Sequence, residues 1–120
     1  MTQLDVETFK SKDAHSYDPV IEEFDRFSNR FSLVLAQRVV ELAQLQPGQQ
    51  VLDIGTGTGI VALQAAQKVK PGGKVLGADL SEAMLAAAVR KAERAGLADV
   101  LEFRQMDAEK LALPDQSFDA

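Results

Sequence analysis

A carboxylate precedes a run of alternating glycines near the middle of the chain. Asp53 lies two residues before the first of them. The glycines are Gly55, Gly57 and Gly59. The apolar, partly β-branched residues 51–54 predict a short strand, and a helical repeat of apolar residues follows. This repeat consists of Ile60, Leu63, Ala66 and Val69. Because glycine has no Cβ, the backbone between strand and helix can turn sharply and approach a ligand at the helix N-terminus.

The spacing of the glycines separates this turn from two common nucleotide-binding turns. The dinucleotide fingerprint G-x-G-x-x-G requires a small residue where Ile60 stands, and the G-K-[ST] ending of a P-loop is absent. Asp53 also disfavours a bound pyrophosphate, since like charges about 4 Å apart cost on the order of 4 kcal/mol at an effective dielectric constant of about 20. The same carboxylate favours a cationic ligand such as a sulfonium with an amino group, which is the charge pattern of S-adenosylmethionine. Alternatively, Asp53 fixes its own turn through backbone N–H groups.

A second acid ends the next predicted strand. Asp79 lies twenty positions after Gly59. In nucleotide-binding βαβ units an acid at this place accepts hydrogen bonds from the ribose hydroxyls. We expect Asp79 to bind ribose; the alternative is a solvated acid or a charge that initiates the next helix.

Several blocks of the sequence resemble one enzyme family. Residues 53–59, Asp-Ile-Gly-Thr-Gly-Thr-Gly, are similar to the D-x-G-x-G-x-G motif of class I S-adenosylmethionine-dependent methyltransferases. Two further blocks, residues 77–85 and residues 107–120, resemble the subgroup typified by ubiquinone and menaquinone biosynthesis methyltransferases. The resemblance spans roughly residues 47–120, and it indicates the cofactor far more specifically than the methyl acceptor.

The resemblance implies a set of residues that contact S-adenosylmethionine. They are Asp53, Gly55, Thr56, Gly57, Gly59, Asp79, Leu80, Met84, Asp107 and Ala108. In such enzymes Leu80 would lie against the adenine, Asp107 would bind its exocyclic amine, and the Ala108 N–H would meet a ring nitrogen. Taken alone, Asp107 is a loop acid or the cap of a short turn. Met84 is equally compatible with adenine or ribose contact and with core packing. The sequence identifies no catalytic residue.

The order of predicted elements indicates an α/β fold in two parts. Residues 1–46 are expected to form an arm and two helices, the second from about Ser32 to Leu45. Its predicted apolar face consists of Leu35, Val39 and Leu42. Residues 47–120 are expected to form the cofactor-binding core, a Rossmann-like doubly wound parallel sheet with right-handed crossovers. It comprises strands at about 50–54, 74–79 and 100–104, helices at about 60–70 and 82–95, and the start of a fourth strand at 118–120.

Composition sets limits on the partners of the chain. The net charge of −5 argues against a nucleic-acid surface. Without cysteine, neither disulfides nor thiolate metal sites can form, and no metal is expected. No apolar run approaches the length of a membrane span, so no membrane partner and a cytoplasmic location are expected. Tyr17 is a candidate to close over the cofactor, whereas His15 is expected on the surface. Four charged residues of the second core helix are also expected to be solvated; they are Arg90, Lys91, Glu93 and Arg94.

Three functions are compatible with these features. The first is a methyltransferase that uses S-adenosylmethionine and a small-molecule acceptor, because the resemblance points there. The second is a half-domain that binds the cofactor without transferring methyl groups, since members of the family continue with further strands after the fourth. The third, a nicotinamide-dependent oxidoreductase, is disfavoured by Asp53 and Ile60. If residues 1–120 are the whole molecule, the open edge beside the first strand predicts a homodimer or aggregation.

Overall fold

The computed structural model describes the backbone of residues 21–120 and the side chains of residues 31–120. The predictions for His15, Tyr17 and the N-terminal arm therefore lie outside the described residues. Strands and helices alternate after the first helix. In chain order the elements are α1 (Ile21–Ala43), β1 (Gln50–Ile54), α2 (Ile60–Val69), β2 (Lys74–Asp79), α3 (Glu82–Arg94) and β3 (Leu101–Gln105).

The strands form a parallel sheet in the order β1-β2-β3. Asp53 is in register with Gly77, and Asp79 is in register with Gln105. Because both crossovers proceed in the same direction across the sheet, right-handedness puts α2 and α3 on the same face. The carboxyl ends of the strands, where both acids lie, thus form one edge of the fold, as the Rossmann-like prediction requires.

Small side chains allow the helices to lie close to the sheet. The core of the described residues consists mainly of alanine and valine, with Leu97 and Leu101 beside them. On α2 the buried side chains are Ala62, Ala65, Ala66 and Val69. The predicted face of this helix was therefore only half right, because Ile60 and Leu63 are partly exposed. Both border a groove between the helices, and Leu63 also packs against the core.

The N-terminal region differs from the prediction of two helices. α1 runs without interruption through Phe31 and Ser32, because no proline or glycine occurs between residues 20 and 46 to end a helix. The predicted apolar face of the second helix was also wrong. Its residues Leu35, Val39 and Leu42 are more than half exposed, whereas Ala36 and Val40 are buried. α1 packs against α2, and small side chains on both allow the close approach.

The open edge of β1 is covered in part by the last residues of the chain. Ala120 donates to the Gln50 carbonyl at 3.3 Å and accepts from the Leu52 N–H at 2.9 Å, as a residue in a parallel neighbour does. Asp119 donates its N–H to the same Gln50 carbonyl at 2.7 Å, and its carboxylate accepts from the Gln50 N–H at 2.7 Å. Residues 118–120 thus lie beside β1 on its free side, but they form no strand in the described structure, whose sheet has three strands, and the fourth strand stays a prediction. Behind it, a groove of about 580 Å³ separates the sheet from the segment that contains Pro114 and Phe118.

The described part of the chain has no helix with the length and apolarity to cross a bilayer. The cytoplasmic location stays a prediction. Within the same residues, no three His, Cys, Asp or Glu side chains cluster in a way that could hold a metal ion.

Candidate functional site

The glycine turn connects β1 to α2 and folds over the end of β2. The N–H groups of Gly55 and Thr56 both donate to the Ala78 carbonyl, at 2.8 and 2.9 Å. Gly55, Gly57 and Gly59 have φ values of +72°, +57° and +87°, which side chains with a Cβ rarely adopt. A methyl group at Gly55 would meet no atom within 4 Å. One side of the turn is thus open, and a ligand can approach its backbone there.

Asp53 is held within the turn by a neighbouring hydroxyl. Thr56 Oγ1 donates to Asp53 Oδ2 at 2.7 Å, and the Thr56 side chain is buried. Burial raises the pKa of the Asp53 carboxyl above its ordinary value; the Thr56 hydrogen bond opposes this rise, and the charge of Asp79 adds to it. Among the described residues neither acid forms an ion pair. The site therefore has uncompensated negative charge, which favours a cationic ligand.

Asp79 joins the turn to the next helix. Its Oδ2 accepts from the Gly57 N–H at 2.9 Å, and its Oδ1 accepts from the Ser81 N–H at 3.0 Å. Each carboxylate oxygen has two lone pairs, so both oxygens can accept a further bond from a ligand hydroxyl. The ribose role predicted for Asp79 thus remains chemically open, and the carboxylate has a structural role as well.

A glycine and an aromatic ring that the sequence did not single out support the turn from below. At Gly77, a methyl group would lie 2.6 Å from the Phe103 ring and 2.8 Å from Thr56 Oγ1. At Gly59, it would lie 3.2 Å from Ala88 Cβ and 3.3 Å from the same ring. The sequence predicts that Gly77 and Phe103 lie on two strands. Only the observed register shows that they are neighbours beneath Thr56.

The first turn of α3 borders the site. Ser81 caps the helix, because its Oγ accepts from the Met84 N–H at 3.2 Å. Met84 is only 7% exposed, and a methyl group at Gly57 would lie 3.5 Å from its Sδ. Met84 therefore packs beneath the glycine turn. Its contact with adenine or ribose stays a prediction.

The residues predicted to surround the adenine follow β2 and β3. Gln105 Nε2 donates to the Leu80 carbonyl at 2.9 Å, and the Met106 N–H donates to the Asp79 carbonyl at 3.1 Å. Asp107 is partly buried, and its Oδ1 accepts from the Glu109 N–H at 2.9 Å. Asp107 thus stabilises its own short turn, the alternative that the sequence left open. Ala108 is exposed.

One prediction about charged residues of α3 was wrong. Lys91 is partly buried, and its ammonium donates to Thr58 Oγ1 at 3.0 Å. Its three charged neighbours Arg90, Glu93 and Arg94 are exposed, as predicted. Sequence periodicity does not distinguish Lys91 from them, since the contact joins residues 33 positions apart.

The polar groups of the site fit a ligand that has both hydroxyl groups and a positive charge. The two acids and the open backbone of the glycine turn all lie at the carboxyl edge of the sheet. In open α/β sheets, ligands bind in the crevice outside this edge. Asp79 can accept from hydroxyls, and Asp53 favours a cation; S-adenosylmethionine has both features.

Comparison with known proteins identifies sequence relatives of the same region. A family model described as a methyltransferase domain matches residues 51–120. The ubiquinone/menaquinone biosynthesis C-methyltransferase UbiE of Ectopseudomonas oleovorans is 42% identical over 80 residues, which cover 67% of this chain and 47% of that protein. Nocamycin O-methyltransferase of Saccharothrix syringae is 36% identical over 103 residues, which cover 86% of this chain and 36% of that protein. The chain thus spans less than half the length of these two relatives.

Solved structures share the same architecture. A SAM-dependent methyltransferase from Aquifex aeolicus has a TM-score of 0.69 at 32% identity and covers 82% of this chain and 52% of its own. An RNA methyltransferase from Salinibacter ruber, in complex with S-adenosylhomocysteine, has a TM-score of 0.58 at 30% identity, over 64% and 49% of the two chains. The [4+2]-cyclase SpnF has a TM-score of 0.60 at 32% identity, and the match covers 68% of this chain and 31% of SpnF.

Proposed function

This chain belongs to the methyltransferase-domain family, and on that basis we propose that it binds S-adenosylmethionine and takes part in methyl transfer to a small-molecule acceptor. The observation that supports this proposal best is the junction of the glycine turn with two acids at one edge of the sheet. Asp79 reaches Gly57 across 22 positions, and Asp53 lies inside the same turn. The complex of the Salinibacter ruber relative with S-adenosylhomocysteine adds support for this class of ligand.

Each part of the site has a proposed role. Asp79 accepts hydrogen bonds from the ribose hydroxyls, and Asp53 favours the positive charge of the methionine part. The backbone of the glycine turn contacts the ligand at Gly55, Thr56, Gly57 and Gly59. Leu80, Asp107 and Ala108 surround the adenine, and Met84 contacts the adenine or the ribose. These roles extend the sequence predictions, and mutation tests them directly.

Methyl transfer from S-adenosylmethionine requires the protein mainly to align the cofactor with the acceptor. A bound S-adenosylmethionine supplies an activated methyl group on a sulfonium, which an acceptor O, N or C nucleophile displaces in line. The residues of this chain orient the ligand and exclude water at the carboxyl edge. A general base is needed only if the acceptor must lose a proton, and no residue of the described site has been assigned that role.

We also propose separate roles for two parts of the chain. Residues 47–120 would form the cofactor-binding core, and residues 1–46 would contribute the N-terminal region that covers it. A small-molecule acceptor is favoured because both sequence relatives above are named for small-molecule pathways. The Salinibacter ruber relative is an RNA methyltransferase, but the net charge of −5 disfavours an RNA surface on this chain.

A second function belongs to a different class. The chain would bind the cofactor without transferring its methyl group, either alone or with another polypeptide. This alternative is favoured by the likeness to SpnF, which is described as a cyclase. A nicotinamide-dependent oxidoreductase is disfavoured by Asp53 and Ile60, as the sequence predicts.

Two measurements separate these functions. Calorimetric titration with S-adenosylmethionine, S-adenosylhomocysteine and NAD should show binding of the first two and no binding of NAD. A methyl-transfer assay with a panel of quinol, phenol and carboxylate acceptors then separates transferase from binding module. Binding without transfer supports the second function, and absence of binding to both sulfur ligands contradicts the proposal.

A further inference from the structure

The rear of the glycine turn, the side that faces α3, has a contact for which neither the motif nor the proposed function accounts. We infer that Lys91 is a positioning residue for cofactor binding, because its ammonium holds Thr58 and thereby the backbone of the turn. The inference rests on the proposed function, in that the turn is taken to face the cofactor. Lys91 itself does not touch the ligand in this assignment.

Within the turn, the Gly59 N–H donates to the Thr56 carbonyl at 2.9 Å, a hydrogen bond that spans Gly57 and Thr58. Thr58 lies between Gly57 and Gly59, which have φ values of +57° and +87°. Glycine reaches many backbone conformations at similar free energy, so a glycine-flanked residue loses more entropy when it is ordered. Gly59 is also the N-cap of α2, and no side chain makes the capping hydrogen bond there. Contacts from outside the turn therefore add to its order.

α3 supplies such contacts along one of its faces. Ala88 is fully buried, and a methyl group at Gly59 would lie 3.2 Å from its Cβ. Lys91 follows three residues later, so it lies above Ala88 on the same side of the helix. Its ammonium donates to Thr58 Oγ1 at 3.0 Å, and Thr58 is only 5% exposed. The two side chains thus fix successive residues of the turn.

The turn is held at two adjacent residues by two elements. Asp79, at the end of β2, accepts from the Gly57 N–H at 2.9 Å, and Lys91 donates to Thr58 Oγ1. Loss of either contact removes one restraint on the conformation of the glycines. If cofactor binding uses the N–H groups of this turn, loss of the Lys91 contact must add an ordering cost to binding.

The sign of the expected effect distinguishes positioning from direct electrostatics. Lys91 is cationic, so removal of its charge would by Coulomb's law favour a cationic ligand. A positioning role predicts the reverse, because weaker ordering of the turn lowers the affinity for both the sulfonium and the uncharged thioether. Similar losses for S-adenosylmethionine and S-adenosylhomocysteine therefore identify a positioning role.

The test uses the full chain and four single variants. They are Lys91→Met, Lys91→Arg, Thr58→Val and the control Arg90→Met, which removes an exposed positive charge from the same helix. Calorimetry at a temperature well below each melting midpoint should show affinities for both ligands about three- to tenfold weaker for Lys91→Met and for Thr58→Val. Lys91→Arg should recover part of the loss, and Arg90→Met should bind as the wild type does.

A double variant and an independent readout complete the test. Lys91→Met combined with Thr58→Val should lose less affinity than the sum of the two single losses, because both substitutions remove the same hydrogen bond. Additive losses, unchanged affinity in Lys91→Met, or tighter binding of S-adenosylmethionine alone would overturn the inference. If the wild type binds neither ligand, the proposed function fails. Amide hydrogen exchange at residues 57–60 then decides the inference: faster exchange in Lys91→Met than in Arg90→Met supports it, and equal exchange overturns it.

Discussion

Asp79 Oδ2 accepts a hydrogen bond from the Gly57 N–H at 2.9 Å, so the acid that ends β2 is bonded to the glycine turn that follows β1. The two residues are 22 positions apart, and each is predicted independently to bind the cofactor. Their contact means that the acid predicted to bind ribose also orders the turn. A substitution at Asp79 therefore tests two roles, which must be separated by choice of variant.

Asp79→Ala should weaken binding of both S-adenosylmethionine and S-adenosylhomocysteine. Each lost hydrogen bond to the charged carboxylate contributes about 1.5–3 kcal/mol, and the turn loses its contact as well. Asp79→Asn should lose less, since its amide oxygen can still accept one N–H. Calorimetry measures both, with Glu82→Ala as an exposed acidic control at the start of α3. Unchanged affinity in Asp79→Ala would show that the ribose assignment is wrong.

Gly55→Ala should separate ligand binding from folding. Gly55 has φ of +72° and open space where an added methyl group would stand, and Gly96 has φ of +70° with equally open space beyond the end of α3. Both alanine variants should lose about 1–2 kcal/mol of unfolding free energy, because both force a left-handed alanine.

Only the Gly55 variant should also lose cofactor affinity, since its methyl group would stand where the ligand approaches. Thermal melts and calorimetry of the two variants give the comparison. Gly57→Val should be worse than Gly55→Ala, because the added side chain also meets Met84. Equal affinities in the Gly55 and Gly96 variants would place the ligand elsewhere.

The sequence predicts local features of this molecule better than distant contacts. The alternation of Gly55, Gly57 and Gly59 defines the turn because φ preference is a property of single residues, and β2 has the predicted bounds. The contact of Lys91 with Thr58 joins residues 33 positions apart, and helical periodicity marks Lys91 no differently from Arg90. In α1, apolar residues occur on several sides, so the pattern alone could not select the face of Ala36 and Val40.

Asp53→Asn should change stability and affinity in opposite directions. The pKa of the Asp53 carboxyl is raised above its ordinary value of 3.8, chiefly because burial disfavours the charge. The folded protein therefore binds the proton more tightly than the unfolded chain does, and this group reduces stability as the pH rises through its folded pKa. The amide variant should melt higher than wild type at pH 7, by an amount that shrinks as the pH falls toward 3.8.

The same substitution, Asp53→Asn, should lower the affinity for S-adenosylmethionine. Protonation of Asp53 removes the negative charge that favours a sulfonium, so wild-type affinity for S-adenosylmethionine should fall on acidification more than affinity for S-adenosylhomocysteine. In Asp53→Asn this difference between the ligands should disappear. Titrations from pH 7 down toward the ordinary pKa of 3.8 test it, with Asp115→Asn as an exposed control of equal charge change. A pH dependence identical in wild type and Asp53→Asn would assign the effect to another group.

Asp119 bonds to the edge of β1, and in a polypeptide of residues 1–120 its loss should promote self-association. Its N–H and its carboxylate bond the carbonyl and the N–H of Gln50, each at 2.7 Å, which keeps residues 118–120 beside the strand. Asp119→Ala removes the carboxylate contact, at a cost of about 1 kcal/mol for an exposed bond, and leaves backbone groups of β1 open to a second chain. We expect the variant to form dimers or aggregates at several-fold lower concentration than the wild type, while Asp115→Ala, which removes an equal charge from the same segment, should not.

Because this edge adjoins the glycine turn, S-adenosylmethionine should also shift the self-association of the Asp119→Ala variant. Light scattering over a concentration series, with and without the ligand, measures both effects. If Asp119→Ala stays monomeric wherever the wild type does, the β1 edge is not an association surface, and the predicted homodimer has no support there.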